Sequence, residues 1–150
     1  MTSVFVDSNV IVYSLDRTSP NKRATAKAWL KRLTASRATT LSVQVVNEAY
    51  AVLTLRRGLD PVSDRVRRSL TPFLRLATAP LDVAVVVSAW RLQDRFQVRT
   101  WDALLLASAN AAGCSHFLSE DLNDGQVYGG VVVVNPFRHA PEEVLGRALR

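Results

Sequence analysis

Residues 2–10 read TSVFVDSNV, and they contain the first strongly β-forming stretch of the sequence. Residues 2–6 favour a strand, because β-branched and aromatic side chains pack well on a pleated surface. The strand pattern ends at Asp7, and the residues after it predict a turn into a helix. No glycine occurs before Gly58, so this turn contains neither a G-x-G-x-x-G loop nor a Walker A loop. Residues 2–10 therefore predict the first strand and helix of an α/β fold without a glycine-rich phosphate site.

The rest of the sequence alternates between helix and strand patterns. Helices are predicted over residues 20–33, 43–57, 60–76, 82–96, 101–112 and 141–149. Ser19, Ser42 and Thr100 are the predicted N-caps of three of them. Strands are predicted at 39–41, 77–79, 115–119 and 131–134, and the four consecutive valines of the last suit a strand covered on both faces. This alternation predicts an α/β sandwich with a mainly parallel sheet.

Length and composition indicate one globular domain. The 150 residues fit a single compact domain, residues 1–150, and leave no room for two ordinary ones. Hydrophobic residues make up 48% and charged residues 21%, which excludes disordered and collagen-like chains. No apolar run approaches the roughly 18 residues that span a bilayer, and no signal peptide is recognisable. With Cys114 as the single cysteine, we expect a cytoplasmic protein that does not contact the membrane.

The charge balance indicates a polyanionic partner. Lys and Arg number 19 against 13 Asp and Glu, giving a net charge of +6 and a pI of about 10.2. Nucleic acid is the commonest partner of a domain this basic. The alternative is that the excess charge only keeps a small protein in solution.

Four acidic residues are well separated from most other acids of the sequence: Asp7, Glu48, Asp102 and Asp121. The first closes a predicted strand, the second lies among apolar helix residues, the third begins a very apolar helix, and the fourth follows the strand at 115–119. Sites in parallel α/β sheets lie at the carboxyl ends of the strands. We therefore predict that these four carboxylates gather at one edge of the sheet.

Each of these acids also has a structural explanation. Asp7 could form a turn, Asp102 could favour a helix N-terminus, and Asp121 could cap a loop. Glu48 is harder to explain in this way, because an unpaired carboxylate in a buried helix is costly. One shared site accounts for all four more simply than four separate roles.

A site built from these acids predicts a hard divalent cation. Clustered carboxylates without a cation repel one another, and their pKa values rise. Oxygen ligands without a Cys or His cluster favour Mg²⁺ or Mn²⁺ over zinc. His116 and His139 lie outside these segments, and we assign neither a catalytic role. The chain has no G-x-S-x-G elbow, and Asn9 stands where an aspartyl phosphatase has its second Asp.

The segments around these acids resemble the PIN domain, and more narrowly the VapC-type toxins of bacterial toxin–antitoxin pairs. In chain order the segments are Val6-Asp7-Ser8-Asn9-Val10, Val45-Val46-Asn47-Glu48, Trp101-Asp102-Ala103-Leu104, and Leu118-Ser119-Glu120-Asp121-Leu122 with Gly125. Residues 131–137 also fit, so the resemblance covers essentially the whole chain. Four motifs in the right order are far more specific than one.

The resemblance implies a three-layer α/β/α sandwich and a Mg²⁺- or Mn²⁺-dependent endoribonuclease, commonly a homodimer held inactive by a small antitoxin protein. It implies that the four acids are the catalytic and metal-binding residues, with Asn9 and Ser119 as hydrogen-bond partners behind them. Some relatives carry a further acid where this chain has Leu105 and Leu106. The number of metal ions therefore stays open, and Glu120 and Asp124 are candidates for additional ligands.

Basic and aromatic residues are candidates for RNA contacts. The basic candidates are the arginines of the 61–76 helix together with Arg56, Arg57, Arg95 and Arg99. Each of these arginines could equally belong to a solvated face. Trp101 could stack on a base, although a Trp beside so apolar a helix is more commonly part of the core.

Two alternative functions stay open on the same fold. The protein could be an RNA-binding or interaction module without turnover. It could also be a housekeeping nuclease of RNA maturation rather than a toxin.

Overall fold

The computed structural model describes residues 2–55 and 60–146, which form a three-layer α/β/α sandwich. The strands are β1 (Val4–Val6), β2 (Thr39–Thr40), β3 (His116–Leu118), β4 (Val127–Tyr128) and β5 (Val131–Val134). The flanking helices are α1 (Ser8–Leu15), α2 (Pro20–Ala35), α3 (Val43–Leu55), α4 (Asp60–Leu74), α5 (Val83–Phe96), α6 (Thr100–Ala111) and α7 (Glu142–Leu145). The predicted α/β/α class with a mainly parallel sheet is confirmed. The predicted helix ends at residues 57 and 149 lie outside the described residues.

The sheet has the strand order β2-β1-β3-β5-β4, and only β4 runs antiparallel to its neighbour. All three residues of β1 are buried, since the strand lies between β2 and β3 and is covered on both faces. In the β1–β3 pair, Val4 stands opposite His116 and Val6 opposite Leu118. The rings of Phe5 and Phe117 stack within this pair with centroids 5.3 Å apart. This register places the residues that follow the two strands side by side.

Helix α6 packs on α5 through small side chains. Ala89 of α5 meets Ala103 and Ala107 of α6 in a buried cluster with Val85. Alanines allow two helices to approach closely, because little side-chain volume separates their backbones. The tight contact fixes the first turn of α6, which carries Asp102, relative to the rest of the domain.

The β4–β5 connection is a Gly129-Gly130 turn held by Asn110 of α6. Gly129 has a positive φ of 64°, and a Cβ there would lie 2.6 Å from Asn110 Oδ1. Asn110 Nδ2 donates to the Tyr128 carbonyl at 3.1 Å, and the Gly130 amide donates to Asn110 Oδ1 at 2.6 Å. The turn therefore requires glycine for both its backbone conformation and its space. The strand β4 that it creates was not predicted.

Three other expectations are wrong. Thr100 does not cap α6, because it is the first residue of that helix and Arg99 is the N-cap. Residues 77–79 form no strand, because this segment makes only one backbone bond towards the sheet, from the Ala79 amide to the Leu41 carbonyl at 2.9 Å. Ser42 does not cap α3, since its Oγ is buried and has no hydrogen-bond partner in the described part of the chain. None of the described helices is long and apolar enough to cross a membrane.

Candidate active site

Asp7 lies at the junction of β1 and α1 and is only 3% exposed. Its backbone is extended, and its side chain caps α1 by accepting a hydrogen bond from the Ser8 amide at 2.7 Å. Ser119 follows β3, the neighbouring strand, and donates its hydroxyl to Asp7 Oδ2 at 2.7 Å. The β1–β3 register therefore brings these two residues into direct contact.

Asn9 links Asp7 to Asp121. Its Nδ2 lies 3.2 Å from Asp7 Oδ2, 3.2 Å from Ser119 Oγ and 3.1 Å from Asp121 Oδ2. The Asp121 amide donates to Ser119 Oγ at 3.1 Å, which holds the loop after β3 against the same network. Asn9 and Ser119 thus contact the acids that the resemblance assigns to them.

Glu48 reaches the site from α3. Ser8 Oγ donates to Glu48 Oε2 at 3.2 Å, and Gln44 Nε2 donates to Glu48 Oε1 at 2.8 Å. No described basic residue forms an ion pair with Glu48. The carboxylate is therefore held by neutral donors, an arrangement that leaves its negative charge uncompensated.

Asp102 lies in the first turn of α6 and has no hydrogen-bond or ion-pair partner among the described residues. It lines a cleft of about 300 Å³ together with Arg99, Asp121, Gln126 and other residues of the loop after β3. A half-buried carboxylate without a donor is available to a ligand.

The four acids influence one another electrostatically. Burial raises the pKa of Asp7 from 3.8 to about 7, even though hydrogen bonds from Ser119 and Ser8 lower it, and the charges of Asp102 and Asp121 raise it further. Burial also raises the pKa of Asp102, with Asp121 and Glu48 adding to the rise and Arg99 opposing it. The predicted acids therefore share one region of negative potential at the carboxyl ends of β1 and β3.

The candidate ligands are of the type that Mg²⁺ or Mn²⁺ prefers, but their side chains are not spaced closely enough to surround such an ion. Every candidate ligand is a carboxylate oxygen, as these ions prefer, and Asp102 has no competing partner. Within residues 2–55 and 60–146, however, no three Asp, Glu, His or Cys side chains stand close enough to hold a metal ion. The kind of ligand therefore fits such an ion, whereas the spacing of the described side chains does not form a closed site.

Glu120 and Asp124 are engaged away from these acids. Glu120 pairs with Lys22, whose Nζ also donates to Tyr13 Oη at 3.2 Å. Asp124 accepts the Asn135 amide at 2.9 Å and lies 2.6 Å from His139 Nε2, and these two contacts hold its pKa below the usual range. As the structure stands, neither candidate for an additional ligand faces the cleft.

The sequence reasoning did not find Ser8 and Gln44 as partners of Glu48. Gln44 precedes Glu48 by four residues on α3, a spacing that puts both on one helix face and could have indicated the contact. Ser8 contacts Glu48 through the tertiary packing of α1 on α3, for which the sequence carries no signal.

The candidate RNA-contacting residues differ in their surroundings. Arg99 lines the acidic cleft, and Arg95 lies over the Phe96 ring beside it. Arg67 is occupied, since it donates to Tyr50 Oη at 3.0 Å and pairs with Asp64. Arg65, Arg68 and Arg75 are exposed, while Arg56 and Arg57 lie outside the described residues. Trp101 is 65% exposed, so its expected place in the core is wrong.

The model of the PIN domain family matches residues 4–127. This range includes all four acids and every element from β1 to the first residue of β4. No curated protein matches the chain at a significant level.

Asp7→Asn is expected to stabilise the metal-free protein in a pH-dependent way. Because the pKa of Asp7 is raised on folding, the folded state binds the proton more tightly, and the carboxyl costs stability as the pH rises from about 4 to about 7. The variant removes that cost. Its free energy of unfolding should exceed that of the wild type by about 1–4 kcal/mol at pH 8. The difference should shrink towards pH 4.

Urea unfolding in EDTA at several pH values measures this difference. Asp94→Asn, at an exposed position of α5, is the matched control and should behave like the wild type throughout. A gain from Asp7→Asn that is the same at every pH would contradict the assignment of a buried, proton-binding Asp7.

Proposed function

The chain belongs to the PIN domain family, and from this membership and the geometry of its acids we propose that it is a metal-dependent endoribonuclease, the toxin of a type II toxin–antitoxin pair. PIN domains are a nuclease fold, commonly metal-dependent, and typically bind divalent ions such as Mg²⁺. The observation that carries the proposal is the hydrogen-bond network that joins these acids. Asn9 Nδ2 lies 3.2 Å from Asp7 Oδ2 and 3.1 Å from Asp121 Oδ2, and Ser8 Oγ donates to Glu48 Oε2 at 3.2 Å. Burial raises the pKa of Asp102, and the charges of Asp121 and Glu48 add to the rise. Such a cluster costs stability unless it serves a cation.

In this proposal the four acids hold Mg²⁺ or Mn²⁺, and Asn9 and Ser119 orient two of them. The ion, when bound, supplies positive charge that favours deprotonation of water and offsets charge in the transition state of phosphodiester hydrolysis. Ser119 and the Ser8 amide donate to Asp7, which orients its carboxylate and offsets part of the effect of burial on its pKa. Asn9 Nδ2 donates to Asp121 Oδ2 at 3.1 Å and orients that carboxylate.

Arg99 positions the RNA. It lines the same cleft as Asp102 and Asp121, so a phosphate bound next to the acids lies within reach of its guanidinium. Hydrolysis adds the oxygen of water to phosphorus and transfers its proton to the leaving ribose oxygen. Arginine is suited to the phosphate contact, because its planar donors can bind two phosphate oxygens at once.

The toxin assignment rests on the four VapC-like motifs. A toxin of this type also implies a small antitoxin partner, a homodimer, and a cytoplasmic location where cellular RNA is available. The alternatives are an RNA-binding or interaction module without turnover and a housekeeping nuclease, and each gives a different result in the experiments below.

Asp102→Asn is expected to abolish cleavage of single-stranded RNA in Mg²⁺. Ser119→Ala should cost about 10- to 100-fold, as the loss of a residue that orients a metal ligand typically does, and Asp102→Asn should cost more. Asp94→Asn, a carboxylate removed from an exposed helix face, should leave the rate unchanged. The measurement is the initial rate of cleavage of a labelled oligoribonucleotide.

EDTA should stop cleavage by the wild type, and added Mg²⁺ or Mn²⁺ should restore it. Cleavage that persists in EDTA would overturn the metal mechanism. RNA binding without any cleavage would favour the binding module.

Expression of the wild type alone is expected to arrest bacterial growth, and Asp102→Asn should not. Mapping RNA ends after induction identifies the target, and a short reading frame beside the gene, when co-expressed, should restore growth. Normal growth in a host shown to contain active enzyme would favour a housekeeping nuclease over a toxin.

A further inference from the structure

A groove of about 400 Å³ runs beside the acids, between the starts of α3 and α6. Gln44 and Glu48 of α3 line one part of it, and Trp101 and Leu104 of α6 line another, together with Leu81. Trp101 is 65% exposed and Leu81 is 40% exposed. Single exposed apolar side chains are ordinary, but several around one concavity indicate a binding surface.

The groove is continuous with the proposed active site. Glu48, one of the four acids, lines the groove, and Trp101 directly precedes Asp102 in the first turn of α6. A chain whose phosphodiester is held at the acids therefore places its neighbouring group in or next to the groove. The occupant is a further part of the same substrate.

The lining suits a base better than a phosphate. No Lys or Arg lines the groove in the described part of the chain, so it offers a phosphate no basic partner. An exposed indole offers a stacking surface that every base can use. Gln44 lines the same part of the groove and donates through Nε2 to Glu48 Oε1 at 2.8 Å, which holds the two side chains together there.

We propose that this groove holds one unpaired base of the RNA, stacked on Trp101 and adjacent to the phosphodiester that is cut. The proposal rests on the proposed nuclease function and identifies Trp101 as a substrate-binding residue of that site. It makes the protein selective for single-stranded RNA, because a paired and stacked base cannot enter the groove. Arg99, which lines the neighbouring cleft together with Asp102, then binds the backbone.

The first test is the cleavage of a single-stranded oligoribonucleotide by Trp101→Ala, Trp101→Phe and Trp90→Ala. Trp101→Ala should raise KM by about 5- to 150-fold with little change in kcat, since stacking contributes equally to substrate and transition state. Trp101→Phe should recover most of the loss. Trp90 is 59% exposed on α5 and does not line the groove, so Trp90→Ala is the matched control and should leave KM unchanged.

An abasic nucleotide beside the cleavage position provides a coupled test. With the wild type it should raise KM about as much as Trp101→Ala does on the intact oligonucleotide. Combined with Trp101→Ala it should add no further loss, because the two changes remove the same contact. Two results would overturn the proposal while leaving the nuclease function intact. In the first, the increases in KM from the abasic nucleotide and from Trp101→Ala add when the two changes are combined. In the second, the KM of Trp101→Ala equals that of Trp90→Ala.

Failure of the proposed function is recognised separately. If the wild type cleaves no RNA, binding of the same oligonucleotide in EDTA is measured by the fluorescence anisotropy of a dye at its end. Weaker binding by Trp101→Ala than by Trp90→Ala supports a base-binding groove on a protein without turnover. Equal binding by the two variants overturns the groove as well. Loss of antitoxin binding by Trp101→Ala, with RNA binding unchanged, would overturn the proposal by showing that the groove holds a protein segment instead.

Discussion

The parallel pairing of β1 with β3 is the constraint on which the site depends. Val6 stands opposite Leu118, so Asp7 and Ser119 emerge side by side where the two strands end. The Asp7 amide also donates to the Leu118 carbonyl at 3.0 Å, which extends the pairing by one bond. The core around Phe5 and Phe117 fixes this register, because a one-residue slip would turn every buried side chain of β1 to the other face.

This register forces a carboxyl group into the interior. Burial favours the protonated form of Asp7, whereas Ser119 and the Ser8 amide favour the ionised form, and burial has the larger effect. The nearby charges of Asp102 and Asp121 add to the cost of ionisation. A divalent cation reverses that balance, since it favours all of these carboxylates in their ionised forms at once. The protein thus gives up stability in its metal-free state at the place where the proposed chemistry occurs.

The sequence predicts the fold well because the relevant signals are local. The β-rich residues 2–6, the valines of β5 and the apolar helix stripes each favour the element that forms. Short elements are harder to predict, as β4 shows: its two residues exist only because Asn110 and Gly129 make a tight turn possible. Residues 77–79 lie beside Leu41, which follows the edge strand β2, but only the Ala79 amide donates to it, and one bond does not extend the sheet.

The sequence predicts the acids of the candidate site better than it predicts the residues that contact them. The separated positions of Asp7 and Asp102 point to a shared site, but the contact between Ser8 and Glu48 arises from helix packing. The exposure of Trp101 also follows from packing: α6 buries its alanines against α5 and leaves the indole outside. Partners of Glu120 and Asp124 likewise come from α2 and from the segment before α7. Sequence spacing carries no information about such long-range contacts.

The central claim is that the buried Asp7 carboxyl belongs to a cation site, and a titration of its carboxyl ¹³C resonance tests this most directly. In EDTA the pKa of Asp7 is expected near 7, as burial dictates. In saturating Mg²⁺ the account predicts a pKa below the ordinary value of 3.8, with parallel changes in the resonance of Asp102. An Asp7 pKa that is the same with and without Mg²⁺ would contradict the account.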